Sequence, residues 1–345
     1  MTEKITIFIA IAYEATERRD VADAQRNKDS VVQALKDSGF QTDTLFVTKE
    51  DFAPASRLAD KLKAMQARWV FNLFEGFSDA PQYEAVFVEV LESLGIRYTG
   101  NPSTALRLCL DKLLVEHELS QQEIPVPRVQ VLTSASQRAV KRALGLRFPV
   151  FVKPRSEDAS VGIDEQSLVT DPAKLAEVVA AKLDAAPAGV LVEEFIPGIE
   201  YTVSLLGEYP YEDLGIASID FTQYPEFPPF LTYRSKWDPE AEEFKKVIPG
   251  PAVLDGQKAE SILTIARNTG VALKCRGYFR VDLRERDGEI FVLDVNPNPD
   301  LNEDSGFVRQ AYARGYSYKE LIAKIFKHAC RETGRGKPVK ASEKE

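Results

Sequence analysis

The sequence contains only two histidines, His117 and His328, each in a polar helical stretch. Serine–histidine–acid catalysis, cysteine–histidine catalysis and imidazole-based metal sites therefore have little to work with. Its three cysteines, Cys109, Cys275 and Cys330, stand far apart. They make neither a disulfide framework nor a zinc site, and reduced thiols suit a cytoplasmic protein. Long apolar runs are missing as well. The longest, Ile5 to Ala12, has the length of a strand, and Met-Thr-Glu-Lys leads into it without a signal-peptide pattern. Basic excess is also lacking, because 53 acidic side chains against 44 lysines and arginines give a net charge of −9. Nucleic acid wants clustered cations, so neither nucleic acid nor membrane is expected as a partner. A nucleotide needs only a few local cations and stays open. The chain shows no internal repeat and no low-complexity segment. Its chemistry must rest on carboxylates, lysines, arginines and a borrowed cofactor.

What is present is ordinary globular material. The chain has 345 residues, 44% hydrophobic and 28% charged, enough for two or three domains. Apolar patterning predicts strands over 4–12, 42–47 and 69–74, alternating with helices over 27–38, 55–67 and 83–94. Gly39 and Gly95 supply two of the helix stops. Alternation of this kind predicts a parallel α/β sheet, with ligands at the carboxyl ends of its strands. The first strand runs into Ala12-Tyr13 with no G-x-G-x-x-G, which argues against a nicotinamide dehydrogenase.

Turn residues at 98–102 mark a boundary, after which Ser103 can cap a helix carrying Asp111 and Lys112. Taken alone, that pair reads as a solvated ion pair. A strand over 148–154 places Lys153 at its far end, before a polar loop that includes Ser160. A lysine beside a small-residue loop suits phosphate. A strand over 189–196 enters a Pro197-Gly198 hinge flanked by Glu193, Glu194 and Glu200. By itself this reads equally well as an edge strand with exposed acids. The aromatic and proline-rich segment 221–250 carries Arg234, Lys236 and Trp237, and predicts a lid or binding loop. Helices are expected over 254–269, 305–313 and 318–330, followed by a frayed polar tail from 331.

The densest chemistry lies in residues 277–300, two apolar strands joined at Asp287-Gly288. Period two puts Arg280 and Asp282 on one face of the first strand, and Asp294 and Asn296 on one face of the second. If those faces meet, two carboxylates, an amide oxygen and a guanidinium converge. Hard oxygen donors of that kind suit Mg²⁺. The competing reading is a surface hairpin with solvated charges, but acids amid so apolar a run need a partner or a metal. Parity adds a condition. A plain two-residue loop would set Asp282 opposite Leu293 and send Asp294 to the other face. The sequence therefore predicts a three-residue loop with a bulge, or an equivalent slip in register.

In this order, Tyr98-Thr-Gly, Asp111-Lys112, Phe151-Val-Lys-Pro154, Glu193-Glu-Phe-Ile196, Glu200, Lys236 and Arg280-Val-Asp282 with Asp294 and Asn296 resemble the ATP-grasp superfamily. The likeness is to its D-alanine–D-alanine ligase group and spans about residues 1 to 330. It implies an α/β and α+β fold of three domains. These are an amino-terminal α/β domain over 1–101, a linker helix and central lid over 102–198, and a catalytic domain with an antiparallel sheet over 199–330, followed by the tail 331–345. It implies ATP and Mg²⁺ as cofactors, two ions, with Mn²⁺ as an alternative, and amino-acid or carboxylate substrates. A homodimer is compatible with it. Lys112, Lys153, Ser160 and Lys236 match nucleotide-phosphate contacts. Glu193 looks like the adenine acceptor, the backbone of Glu194 and Ile196 the hinge contact, and Glu200 the ribose carboxylate. Asp282, Asp294 and Asn296 resemble the metal ligands. Arg280, Lys236, Glu17 and Ser305 stand where that family places catalytic or substrate-contacting groups.

Departures from the pattern fall on the substrate side. The family's glycine-bearing first turn is Ala12-Tyr13 here, and its Glu, Ser and Tyr over the first substrate correspond to Glu17, Ala159 and Trp237. Its oxyanion glycine is Asp300. The expectation is an ATP-dependent carboxylate–amine ligase with a remodelled amino-acid pocket. The alternatives are a genuine D-alanine–D-alanine ligase or a nucleotide-binding regulatory module without turnover.

Overall fold

Strand β1 (Thr6–Ala12) sends Ile7, Ile9 and Ile11 into one apolar core and Phe8 and Ala10 into another. A computed structural model describes residues 6–14, 19–54, 56–156, 160–186 and 188–331. Because β1 is buried on both faces it shows no polar alternation, as a parallel strand covered on both sides requires. It is followed by α1 (Arg19–Asp37), β2 (Gln41–Val47), α2 (Arg57–Ala64), β3 (Trp69–Asn72), α3 (Tyr83–Ser93) and β4 (Arg97–Tyr98). The strands pair in parallel in the order β2-β1-β3-β4. Helix α1 begins at Arg19, well before the expected start near Asn27. Gly39 and Gly95 end α1 and α3 at φ +88° and +65°, left-handed turns that glycine makes without strain.

The next helical stretch is two helices, α4 (Ser103–Leu110) and α5 (Lys112–Gln121). Asp111 breaks it in an extended conformation and caps α5 by accepting from the Leu113 amide at 3.1 Å. Ser103 does not act as a cap; its hydroxyl donates to Glu92 at 2.6 Å. Asp111 and Lys112 are not a solvated pair either. The guanidinium of Arg155 grips the Asp111 carboxylate at 2.5 and 3.0 Å, while Lys112 points into the cleft.

A second sheet is built from β5 (Val129–Leu132), β6 (Val150–Pro154), β7 (Leu168–Val169) and β8 (Val190–Glu194), with α6 (Gln137–Ala143) and α7 (Leu175–Leu183) packed against it. Its order is β5-β8-β6-β7, all antiparallel. Strand β8 is therefore interior, which removes the edge-strand reading of its acids. The third sheet contains β9 (Glu200–Leu206), β10 (Glu212–Ile219), β11 (Gly250–Pro251), β12 (Tyr278–Arg286) and β13 (Glu289–Asn296). Its order is β11-β10-β9-β12-β13. Two short helices, α8 (Tyr233–Trp237) and α9 (Glu242–Lys246), shape the segment between β10 and β11. Val203, Leu205, Phe279, Val281 and Leu283 of this sheet pack with Ala105, Leu119 and the long α10 (Gly256–Ala272). The opposite face is polar and faces a cleft. Helices α11 (Gly306–Ala313) and α12 (Tyr318–Arg331) close the chain and share a core with β1 and α1.

The Tyr98–Asn101 turn fastens the first sheet to the third. The Asn101 side-chain amide donates to the carbonyls of Tyr278 and Pro297 at 2.8 and 2.6 Å, and its oxygen accepts from the Arg276 amide at 2.7 Å. Gly277 has φ +69°, and a Cβ there would lie 2.8 Å from the Gly100 carbonyl oxygen. Gly277→Ala should cost about 2 kcal/mol or more, through strain and overlap together. Gly39→Ala, with φ +88° but open space around it, should cost only about 1 kcal/mol. Urea unfolding of both variants checks this, and equal losses would show that the close approach does not matter.

The Asp111–Arg155 pair adds a pH dependence. Burial pushes the Asp111 carboxyl up, but Arg155 and the Leu113 amide more than offset this and hold it below the usual carboxylate range. A carboxyl depressed by folding contributes stability above its unfolded pKa, about 3.9, and loses it as pH falls toward the folded value. Asp111→Asn should thus lower stability by about 1 kcal/mol at neutral pH, with the gap closing below about pH 4. Chemical unfolding at about pH 7 and about pH 3 reads the difference, and the same gap at both would refute it.

Candidate active site

The β12–β13 connection is a two-residue turn, with Asp287 at φ 56° and Gly288 at φ 84° and Arg286 paired with Glu289. No three-residue loop is needed, because the register slips further along. Leu283 opposes Val292, yet Asp282 opposes Asp294, so Leu293 is an extra residue on β13. This bulge meets the parity condition and returns Asp294 and Asn296 to the face of Asp282 and Arg280.

Adding β9 turns that face into a grid. Glu200 pairs with Arg284, Thr202 with Asp282, and Ser204 with Arg280; across the hairpin, Asp282 meets Asp294 and Arg280 meets Asn296. Ser204 cannot use the neighbouring β10 regularly, because that pairing shifts between Asp213 and Gly215. The side chain of Gln310 repairs the gap, accepting from the Ser204 amide at 3.0 Å and donating to the Thr202 carbonyl at 3.2 Å.

The cations come from other elements. Lys112, at the start of α5, places its ammonium 3.2 Å from both oxygens of Asp294. Lys153, from β6, lies 3.0 Å from the Glu193 carboxylate and donates to the carbonyl of the bulged Leu293 at 3.3 Å. Arg280 holds Asp282 through two hydrogen bonds of 2.9 and 2.8 Å. Burial favours protonation of Asp294, but Lys112 and Lys153 outweigh it and keep this carboxyl below its ordinary range. Burial pushes Glu193 up, and Lys153 only partly offsets it. Burial, then the nearby Arg280 charge, lowers the pKa of Lys236.

These residues line a cleft of about 980 Å³. Its lining is apolar around Phe151, Ile196 and Phe230, with the Phe151 and Phe230 rings 4.9 Å apart, and it also includes Asp300, Ser305 and Arg309. Lys236 enters from α8, whose first turn is capped by Thr232 accepting from the Ser235 amide at 3.1 Å. The preceding segment reaches across to the central sheet. The Tyr233 backbone amide donates to the Ile163 carbonyl at 3.0 Å, and the Ser160 hydroxyl donates to the Leu231 carbonyl at 3.5 Å. Glu194 is turned away, its carboxylate accepting from the Arg147 amide at 2.9 Å. Trp237 lines the cleft. Glu17 and Ala159 lie outside the described residues.

Sequence reasoning did not find several partners. Ser305 caps α11 and donates its hydroxyl to the Asp300 carbonyl at 2.8 Å. The Asp300 carboxylate accepts from the Asn27 side chain at 3.2 Å and from the Asn302 amide at 2.8 Å. Asn298 joins two domains, donating to Glu84 at 3.0 Å while its amide reaches Asn296 at 2.8 Å. Arg284, fully buried, was also missed, although it continues the alternation Arg280, Asp282.

The donor set fits a hard divalent cation. Among the described residues no group of three or more His, Cys, Asp or Glu converges. Asp282 and Asp294 are nevertheless directly opposed, and Asn296 shares their face. Its amide oxygen has a second lone pair beyond the one used by Asn298. Two carboxylates with room for outside oxygens match Mg²⁺ better than a metal that needs a closed protein cage.

Comparison with known proteins agrees with this geometry. Residues 118–327 match the family model described as D-ala D-ala ligase C-terminus. The chain is 30% identical to a D-alanine–D-alanine ligase of Thermotoga maritima, over 90% of its own length and 93% of the relative. It is 34% identical to the uncharacterized protein y4sG of Sinorhizobium fredii, over 86% and 85%. The crystal structure of D-alanine–D-alanine ligase from Bacillus anthracis complexed with ATP superposes with a TM-score of 0.72 at 22% identity, covering 95% of this chain and 98% of the other. VanG D-Ala:D-Ser ligase from Enterococcus faecalis gives 0.72 at 19% identity, over 95% and 100%. With its three sheets, its cleft and these relatives, the chain belongs to the D-alanine–D-alanine ligase family of ATP-grasp, ADP-forming C–N ligases.

Proposed function

We propose that the cleft couples ATP cleavage to amide formation between a carboxylate substrate and an amine substrate, with an amino-acid end unlike that of D-alanine–D-alanine ligases. The observation that carries this reading is the meeting of Asp282 and Asp294 on one sheet face, with Lys112 and Lys153 delivered there from two other elements. Adenine belongs at the apolar end, with Glu193 facing its amino group and the backbone of Glu194 and Ile196 along its edge. Glu200 faces the ribose. Lys112, Lys153, Ser160 and Lys236 serve the phosphates. Asp282, Asp294 and Asn296 would hold Mg²⁺, two ions in this reading, with Mn²⁺ able to replace it. Bound there, Mg²⁺ would neutralise phosphate charge during transfer.

The reaction needs no protein nucleophile. A carboxylate oxygen attacks the terminal phosphorus and ADP leaves; the amine then attacks the acyl carbon, phosphate leaves, and the nitrogen gives up a proton. Arg280, steadied by Asp282, is placed to hold charge that develops on the acyl oxygen. Lys236, whose ammonium is cheaper to neutralise than an ordinary lysine, gains most when a polyphosphate arrives. The contacts of Tyr233 and Ser160 with the opposite wall support exclusion of water from the acyl phosphate. Glu17 and Ser305 belong to the substrate end in this proposal, and assembly is as a homodimer.

Asp300 is the reason to look beyond two D-alanines. Its carboxylate organises the local turn through Asn27 and Asn302, and it also adds negative charge where the acceptor binds. An amine-rich or cationic acceptor fits that end. VanG, described as a D-Ala:D-Ser ligase, is an instance of this fold with a different acceptor.

Phosphate release measured against a panel of amino acids, with and without Mg²⁺, tests the reading. Chelating the metal should abolish release, and Asp294→Asn or Asp282→Asn should cut it by about 100-fold or more. Release that no acceptor stimulates would favour the regulatory-module alternative, and stimulation by D-alanine alone would favour a genuine D-alanine–D-alanine ligase. Asp300→Asn keeps an oxygen for Asn27 and Asn302 while removing the charge. It should lower the rate with cationic acceptors relative to neutral ones, and an unchanged acceptor profile would remove Asp300 from selection.

A further inference from the structure

Arg284 is the largest of the fully buried side chains, 2% exposed, yet it belongs to none of the roles assigned so far. Its Nε and one terminal nitrogen both donate to the same Glu200 oxygen, at 3.0 and 2.9 Å. That terminal nitrogen also donates to the Pro229 carbonyl at 2.6 Å, and the other to the Ile196 carbonyl at 3.0 Å. The guanidinium carbon also lies over two rings, 5.0 Å from the Phe195 centroid and 4.9 Å from that of Phe221. One side chain thus touches the hinge (Phe195, Ile196), the first acid of β9 (Glu200), and both ends of the segment that leads to Lys236 (Phe221, Pro229).

A buried guanidinium is costly to desolvate, and it is tolerated only when nearly every donor is satisfied. Stability alone would be served as well by an apolar side chain of similar volume. Geometry supplies a different rationale. A lysine could neutralise Glu200, but it lacks the planar fork that holds one carboxylate oxygen with two donors while reaching two carbonyls on other segments. Arg284 takes one Glu200 oxygen, which leaves the second to act as an acceptor on a residue that lines the cleft.

We propose that Arg284 is a positioning residue. It presents the second oxygen of Glu200 to the ribose hydroxyls of the nucleotide and ties segment 221–229 to the hinge, so that adenosine recognition and the placement of the Lys236 loop are one event. The inference rests on the nucleotide reading above and adds to it the residue that sets discrimination at the ribose.

The test is calorimetric binding of ATP and of 2′-deoxy-ATP, with Mg²⁺, to the wild-type chain and to Arg284→Met and Arg284→Lys. In the wild type, ATP should bind about tenfold tighter than its deoxy analogue, the worth of one hydrogen bond to a charged acceptor. In Arg284→Met the preference should fall to within about twofold, because deoxy-ATP loses little while ATP loses the oriented oxygen. Arg284→Lys should show the same collapse, and it serves as the readout if the methionine variant does not fold. A purely structural role would weaken both nucleotides equally, so an unchanged ATP-to-deoxy-ATP ratio in the variants overturns the proposal. Glu200→Ala should abolish the preference by itself, and adding Arg284→Met to it should change the ratio no further; a further change would also overturn the proposal. Failure of the wild type to bind ATP would instead sink the nucleotide reading, which is a separate result.

Discussion

One extra residue on β13 decides whether the cleft holds a site at all. Without the bulge at Leu293, the tight turn at Asp287-Gly288 would carry strict alternation along the hairpin and bury Asp294 in the apolar face against α10. The surplus residue brings Asp282, Asp294, Arg280 and Asn296 onto one surface. It also gives Lys153 a carbonyl to hold. The local disruption of a sheet is thus what allows two like charges to sit side by side, and the lysines from α5 and β6 make that arrangement tolerable. In Coulombic terms the acids and lysines stabilise one another only when the second sheet and α5 are docked on the third sheet. The site is therefore a property of the assembled chain rather than of any one sheet.

Docking in turn depends on very close backbone approach. Gly277 lies against Gly100, Asn101 bridges to the carbonyls of Tyr278 and Pro297, and the Asn298–Glu84 contact ties the bend after β13 to α3. These are short, directional contacts made by small or amide side chains, and they fix orientation in a way that apolar burial alone does not. The cores on either side supply most of the favourable free energy, while the polar junctions set the angle at which the sheets meet.

Much of this was legible in the sequence. The parallel first sheet, its glycine stops and the face-sharing of Arg280 with Asp282 follow from period and turn chemistry. So did the need for a register slip, although not its position; a bulge leaves no composition signal beyond the parity conflict itself. The hidden features are those that depend on distant pairing. Asp111 reads as half of a solvated pair until Arg155, far along the chain, takes its carboxylate and frees Lys112 for Asp294. Ser103 looks like a cap until Glu92 claims its hydroxyl. Arg284 had a local signal, since it is the next residue on the Arg280–Asp282 face, but a charged residue near a strand end is usually solvated and carries little weight alone.

The link across the cleft mouth has a mechanical corollary. Tyr233 and Ser160 join the wall that bears Lys236 to the loop that follows Lys153. Parting these walls breaks both bonds together, so Ser160 and the wall that bears Lys236 change position as a pair.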